Sequence, residues 1–242
     1  MAPPPPRPKV ARLKRPTVLL FDIDGTLVHL GGVGRRAFES AFERLHGRRD
    51  ACRKLRFDGN TDRSAARFGL EAIGLSASEA AIDALLETYL AELDAEVARA
   101  DRATFRIYAG VEATLQAVAA TSAAVGLGTG NVERAARIKL EQLNLYGYFG
   151  FGGFGCDHEQ RVEIIRRGAE RGAARLGKPL SECRVVVIGD TPRDIDAARG
   201  IGAEAIGVGT GAFSAEQLRA HGAPHAFADL TAPGALQAIL SE

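Results

Sequence analysis

Short apolar runs alternate along this chain with longer stretches of helical periodicity. The runs at 18–21, 123–127, 148–151, 185–188, 205–208 and 226–227 predict strands, and the patterns at 132–143, 162–176, 193–199 and 215–221 predict helices between them. Strand–helix alternation of this kind predicts an α/β fold, a doubly wound parallel sheet of Rossmann-like form. One segment breaks the rhythm. About one hundred residues separate the first two strands, far more than a single crossover needs. Within them Ile82, Leu85, Leu86, Tyr89, Leu90, Leu93 and Val97 recur at helical spacing after Ser76-Ala-Ser-Glu79, which has the form of a capping box. Two further helices are predicted at 33–45 and 63–73. The segment therefore predicts an inserted α-helical domain over 32–106, entered at "HLGGVG" and left at "RIYAGV", both glycine-bearing hinges. The α/β core then comprises 17–31 and 107–242.

The chain has 242 residues, 46% hydrophobic and 25% charged, which is ordinary composition for a globular protein with a full core. A formal net charge of +1 supplies no overall attraction to nucleic acid or anionic membranes, so neither is expected as a partner. Cys52, Cys156 and Cys183 are scattered, which argues against a disulfide framework, and the five histidines show no zinc-ligand spacing. The start, "MAPPPPRPKVARLKRP", lacks the apolar stretch of a secretory signal and reads as a disordered proline-rich basic tail over 1–16. The expected location is cytoplasmic.

The chemistry lies where the predicted strands end. The first runs into Asp22-Ile-Asp24-Gly25-Thr26, the second into Thr129-Gly130-Asn131, and a later one into Asp190, with Asp194 beyond it. Ligands bind at the carboxyl ends of parallel strands. Carboxylates at i and i+2 of an extended chain face one side and need a positive charge between them. A hard divalent cation such as Mg²⁺ suits that oxygen set, with Asp190 contributing from another strand. In such a site one Asp can attack phosphorus, while the other moves the proton. The Thr129 hydroxyl, loop amides and a cationic side chain would neutralise the phosphate. Taken singly, each piece has a plainer reading: Asp-x-Asp-Gly as a turn, Asn131 as the cap of the next helix, Thr191-Pro192 as an ordinary helix start. Their joint occurrence at three strand ends makes the plain readings improbable.

These three segments, Asp22 to Leu27, Thr129 to Asn131 and Gly189 to Asp194, resemble motifs I, II and IV of the haloacid dehalogenase-like hydrolase superfamily. The helical insert resembles the C1 cap of phosphoglycolate phosphatase-like members. The resemblance implies that Asp22 is the nucleophile and Asp24 the general acid/base. It also implies that Asp22, the Asp24 carbonyl and Asp190 hold Mg²⁺, that Asp194 supports their loop, and that Thr129 binds the phosphoryl group. Asn131 either touches that group or caps a helix. The motif III lysine of many relatives has no counterpart in "GCDHEQRVEIIRRG". Arg161 is the best-placed cation there, while Arg166 and Arg167 suit a helix surface. The cap stretch "FDGNTDR" resembles a segment that faces the active site in such caps. It makes Thr61, Asp62 and Arg63 candidate specificity residues, with Asp62 as a simple helix cap the alternative; Arg63 or Arg35 could meet a substrate carboxylate.

The implied function is Mg²⁺-dependent hydrolysis of a small phosphorylated metabolite, a phosphoglycolate-like monoester, through an aspartyl phosphate. A phosphomutase retains the same residues and stays open as an alternative. Haloacid dehalogenation is disfavoured by Asp24, and phosphonate hydrolysis by the single cap lysine, Lys54. A nucleotide- or phosphate-binding module without catalysis is a further alternative, resting on the weak Gly-x-Gly of "GLGTGN".

Overall fold

The computed structural model describes residues 11–241. The chain forms strands β1 (Thr17–Phe21) and β2 (Val28–Leu30), then helices α1 (Val33–His46), α2 (Asp62–Ala72) and α3 (Glu79–Arg99). Strand β3 (Phe105–Ile107), helix α4 (Val111–Ala119), strand β4 (Ala124–Gly128), helix α5 (Glu133–Glu141) and strand β5 (Gly152–Gly153) follow. The remainder is α6 (Arg161–Arg175), β6 (Arg184–Gly189), α7 (Pro192–Gly200), β7 (Glu204–Val208), α8 (Ala215–Ala220), β8 (His225–Phe227) and α9 (Ala235–Leu240).

Six strands make one sheet in the order β5-β4-β1-β6-β7-β8, every pairing parallel. The α/β expectation therefore holds. Strand β1 is central and entirely buried, as a parallel strand covered on both faces must be. Its side chains divide by parity: Leu19 and Phe21 enter one apolar cluster, Val18 and Leu20 the other, on the opposite face. Burying one such side chain contributes roughly 1.5–3 kcal/mol.

Between β1 and β4 the inserted helices form the expected cap. The buried residues of α3 are Ile82, Leu85, Leu86, Tyr89, Leu90, Leu93 and Val97, the stripe its periodicity specifies. They meet Phe38 and Phe42 of α1 in the same cluster, with the Tyr89 and Phe38 rings stacked at 4.0 Å. Three expectations change in detail. The N-cap of α3 is Ser78, whose side chain accepts from Ala81 N, so Ser76-to-Glu79 is not the box that starts it. The apolar run at 148–151 is mostly a connection, and the edge strand is the glycine pair of β5. The expected tail lies partly outside the described residues. From Ala11 onward it is tied to the core by Ala11 N to Ala120 O (2.9 Å), Leu13 N to Ser122 Oγ (3.0 Å) and Arg184 N to Pro16 O (2.8 Å).

Cap and core are joined by a two-stranded antiparallel ribbon of β2 and β3. Gly31 and Gly32 follow β2 with φ of 59° and 78°, a left-handed turn into α1 that a side chain would strain. No helix among the described residues is long and apolar enough to cross a membrane.

Candidate active site

Strands β1, β4 and β6 end side by side, and their loops enclose a cavity of about 450 Å³. Asp22, Asp24, Thr129, Gly130, Asn131, Arg161 and Asp190 all line it, and Thr61 and Asp62 of the cap join from above. The register that sets β1 beside β6 continues as Asp22 N donates to Ile188 O at 2.9 Å.

Ligand atoms of Asp22, Asp190 and Asp194 lie within 4.8 Å of one another, all three residues buried. Burial dominates their electrostatics. It pushes the Asp22 carboxyl up to about 6, against the pull of Arg161, and holds that of Asp190 well above its ordinary range, with Asp22 and Asp194 adding repulsion. Such a group needs cations. One is present: Arg161 Nη2 sits 2.8 Å from Asp22 Oδ1 and 2.6 Å from Asp194 Oδ1, with both arginine and aspartates buried. Arg161 Nε is buried and has no hydrogen-bond partner among the described residues.

The carboxylates also fit a hard divalent cation. Thr26 Oγ1 donates to Asp190 Oδ1 at 2.9 Å, while Thr191 N and Oγ1 donate to Asp194 Oδ2 at 3.0 and 2.7 Å. These bonds hold the two aspartates and leave Asp190 Oδ2 for a ligand, while Asp194 Oδ1 stays against Arg161. The backbone is pared to glycine around Asp190: a Cβ at Gly25 would fall 2.3 Å from its Oδ2, and one at Gly211 would fall 1.8 Å away. Asp194 joins Asp22 and Asp190 in the acidic cluster, while the Asp24 side chain turns toward Lys139; the resemblance assigns Asp24 to the metal through its backbone carbonyl, not its carboxylate.

Asp24 Oδ2 accepts from Lys139 Nζ at 2.6 Å and from Asn131 Nδ2 at 2.9 Å, and Asn131 Oδ1 accepts from the same ammonium at 2.7 Å. Although packing into the wall raises the Asp24 carboxyl, Lys139 and Asn131 outweigh it and hold the group below its ordinary value. Asn131 Nδ2 also reaches Thr129 Oγ1 at 2.9 Å. Asn131 is thus a connector of site groups and does not cap α5, whose N-cap is Val132. Lys139 escaped the sequence reading, which sought a cation only near α6. A signal existed: Ala135 and Ala136, four and three residues earlier, are buried, so Lys139 falls on the inward stripe of its helix.

The cap residues sort differently from the expectation. Thr61, not Asp62, is the N-cap of α2. Asp62 instead reaches into the core, its Oδ2 accepting from Val132 N at 2.8 Å while its N donates to Gly130 O at 2.9 Å. Burial pushes its carboxyl up to about 6, with Lys139 opposing. Arg63 pairs with Glu79 and Asp83 and is not among the residues that line the main cavity. Arg166 and Arg167 pair with Glu163 and Glu170 on the exposed side of α6.

A family model, haloacid dehalogenase-like hydrolase, matches residues 16–202. The chain belongs to that hydrolase family. Solved structures with the same fold include a hydrolase from Pseudomonas syringae, 21% identical over 93% of this chain and 100% of that one, with a TM-score of 0.67. A candidate phosphoglycolate phosphatase from Lactobacillus delbrueckii subsp. bulgaricus is 19% identical over 94% and 100%, with a TM-score of 0.65. A candidate β-phosphoglucomutase from Thermotoga maritima is 21% identical over 92% and 98%, with a TM-score of 0.58. No curated protein matches. Within this haloacid dehalogenase-like chain the family match ends at residue 202, so it spans the three loops that carry Asp22, Thr129 and Asp190.

Proposed function

We propose that the protein is a Mg²⁺-dependent phosphatase acting on a small phosphorylated metabolite, a phosphoglycolate-like monoester, through an aspartyl phosphate on Asp22. The observation that carries this reading is the buried Asp22–Asp190–Asp194 cluster with Arg161 against it, at the floor of a cavity sized for a small molecule.

Arg161, whose side chain lines the cavity, and the Thr129 loop bind and orient the phosphoryl group. An Asp22 carboxylate oxygen attacks phosphorus, and the bond from phosphorus to the ester oxygen breaks. Asp24 supplies the proton that the departing alkoxide needs. In the free site Lys139 keeps Asp24 ionised, and a phosphate dianion beside it raises its proton affinity. In the second half Asp24 takes a proton from the attacking water, the acyl phosphate bond breaks, and Asp22 returns as carboxylate with release of phosphate. Mg²⁺, held by Asp22, the Asp24 carbonyl and Asp190 with Asp194 behind them, would neutralise charge on the phosphoryl oxygens.

The test is hydrolysis of an aryl phosphate with and without Mg²⁺. Wild type should release phosphate, chelation should stop it, and Asp22→Asn should lose activity by roughly 10³-fold or more. Equal rates for wild type and Asp22→Asn would remove the reading. A phosphomutase would instead give a transferred phosphate in the products.

A further inference from the structure

His29 and Arg106 are direct partners across the β2–β3 ribbon, so they project from the same ribbon face. Their neighbours Val28 and Leu30 are buried, whereas His29 is half-buried and Arg106 exposed. Both side chains line the active-site cavity, as does Tyr108, and the Arg106 guanidinium lies 5.6 Å from the centre of the Tyr108 ring. The ribbon stays close to the carboxylates through two local contacts: Asp24 bridges to Val28, and Tyr108 N donates to Leu27 O at 3.0 Å.

The cations of this cavity have different commitments. Lys139 is held by Asp24, and Arg161 by Asp22 and Asp194. Arg35 donates to the Leu55 and Cys52 carbonyls and has Glu39 at 4.0 Å. Arg106 has Tyr108 beside it, and no ion pair to a carboxylate forms at Arg106 or at His29 among the described residues, although His29 feels the Asp24 charge. Burial first and the Arg106 charge second lower the basicity of the imidazole, against the pull of Asp24, and His29 lines the cavity beside that guanidinium. A phosphate at the cavity floor meets Arg161 and Lys139. Nothing on the floor calls for a further unneutralised guanidinium at the rim.

We propose that His29 and Arg106 form a second anion subsite, which receives a carboxylate or a second phosphate on the alcohol part of the substrate. The subsite rests on the phosphatase reading and narrows it. Selectivity is set by the hinge ribbon, which belongs to neither the cap helices nor the catalytic loops. The substrate class is a short phosphomonoester with two anionic ends, because the cavity of about 450 Å³ spans both floor and rim.

The experiment compares kcat/KM within two matched pairs of esters. One pair is phosphoglycolate and 2-hydroxyethyl phosphate; the other is propane-1,3-diol bisphosphate and its monophosphate. Hydrogen bonds to a charged group contribute on the order of 1.5–3 kcal/mol, so the anionic member of at least one pair should be preferred by about 10–100-fold. Whichever pair shows it identifies the second group as carboxylate or phosphate. Arg106→Gln should collapse that ratio, and Arg106→Lys should restore part of it. Equal treatment of both members of each pair by wild type, or a ratio that Arg106→Gln leaves intact, overturns the subsite while the phosphatase reading stands. Failure to hydrolyse any ester above the Asp22→Asn background overturns that reading and the subsite with it.

Discussion

Lys139 Nζ lies 2.6 Å from Asp24 Oδ2, a buried ammonium against the carboxylate to which we assign the proton transfer. The lysine comes from the second turn of α5 and not from the segment before β6. The site therefore has two separate cations: Arg161 serves Asp22, and Lys139 serves Asp24.

Replacing Lys139 with Met should cut kcat by about 100-fold, the scale of a disabled acid/base group. Lys139 favours the ionised form of Asp24, so its loss raises the Asp24 pKa. Asp24 must carry the proton it gives to the leaving alkoxide, so the alkaline limb of the pH–rate profile should then move to higher pH, and Lys139→Arg should move it less. Rates measured across pH for the three proteins check this, and an unmoved limb would contradict it.

Asp62 makes stability depend on pH. Burial raises its folded-state value from 3.8 to about 6. Between those values the folded chain binds more protons than the unfolded one, so this group's contribution is full below pH 4 and is lost as pH rises through 6. Asp62→Asn keeps an oxygen for Val132 N but removes the charge. Compared with wild type, it should lose less stability between pH 4 and pH 7, by about 1–3 kcal/mol. Urea unfolding at the two pH values measures the difference.

Gly211→Ala tests the space around Asp190. The added methyl would fall 1.8 Å from Asp190 Oδ2, so the carboxylate must shift. A displaced ligand weakens metal binding by roughly 10–100-fold, as a disturbed supporting residue does. The Mg²⁺ concentration giving half-maximal activity should rise accordingly, while a normal thermal melt would show that the fold persists.

Arg161→Met should abolish turnover and lower stability, since it strands Asp22 and Asp194 without their buried partner. Breaking such a pair costs about 3–5 kcal/mol. Arg161→Lys keeps the charge but loses the Nη2 that meets both aspartates, and should retain part of the activity. Phosphate release and thermal melts separate the two effects.

The sequence by itself determined the parallel core, the helical cap and the α3 stripe, because hydrophobic period is local and reports directly which face is buried. It also marked Asp22, Asp24, Thr129, Asn131, Arg161 and Asp190, since each lies at or near the end of an apolar run or the start of a helical one. Tertiary structure decided which side chains face each other. It set Lys139 against Asp24, 115 residues apart, and turned Asp62 from its own helix to the start of α5. It separated Arg63 from the cavity by giving it Glu79 and Asp83. It also paired His29 with Arg106 in a ribbon whose three-residue strands are too short to leave a period. A charged residue's partner depends on where distant backbone segments converge, and no local spacing along the chain encodes that distance.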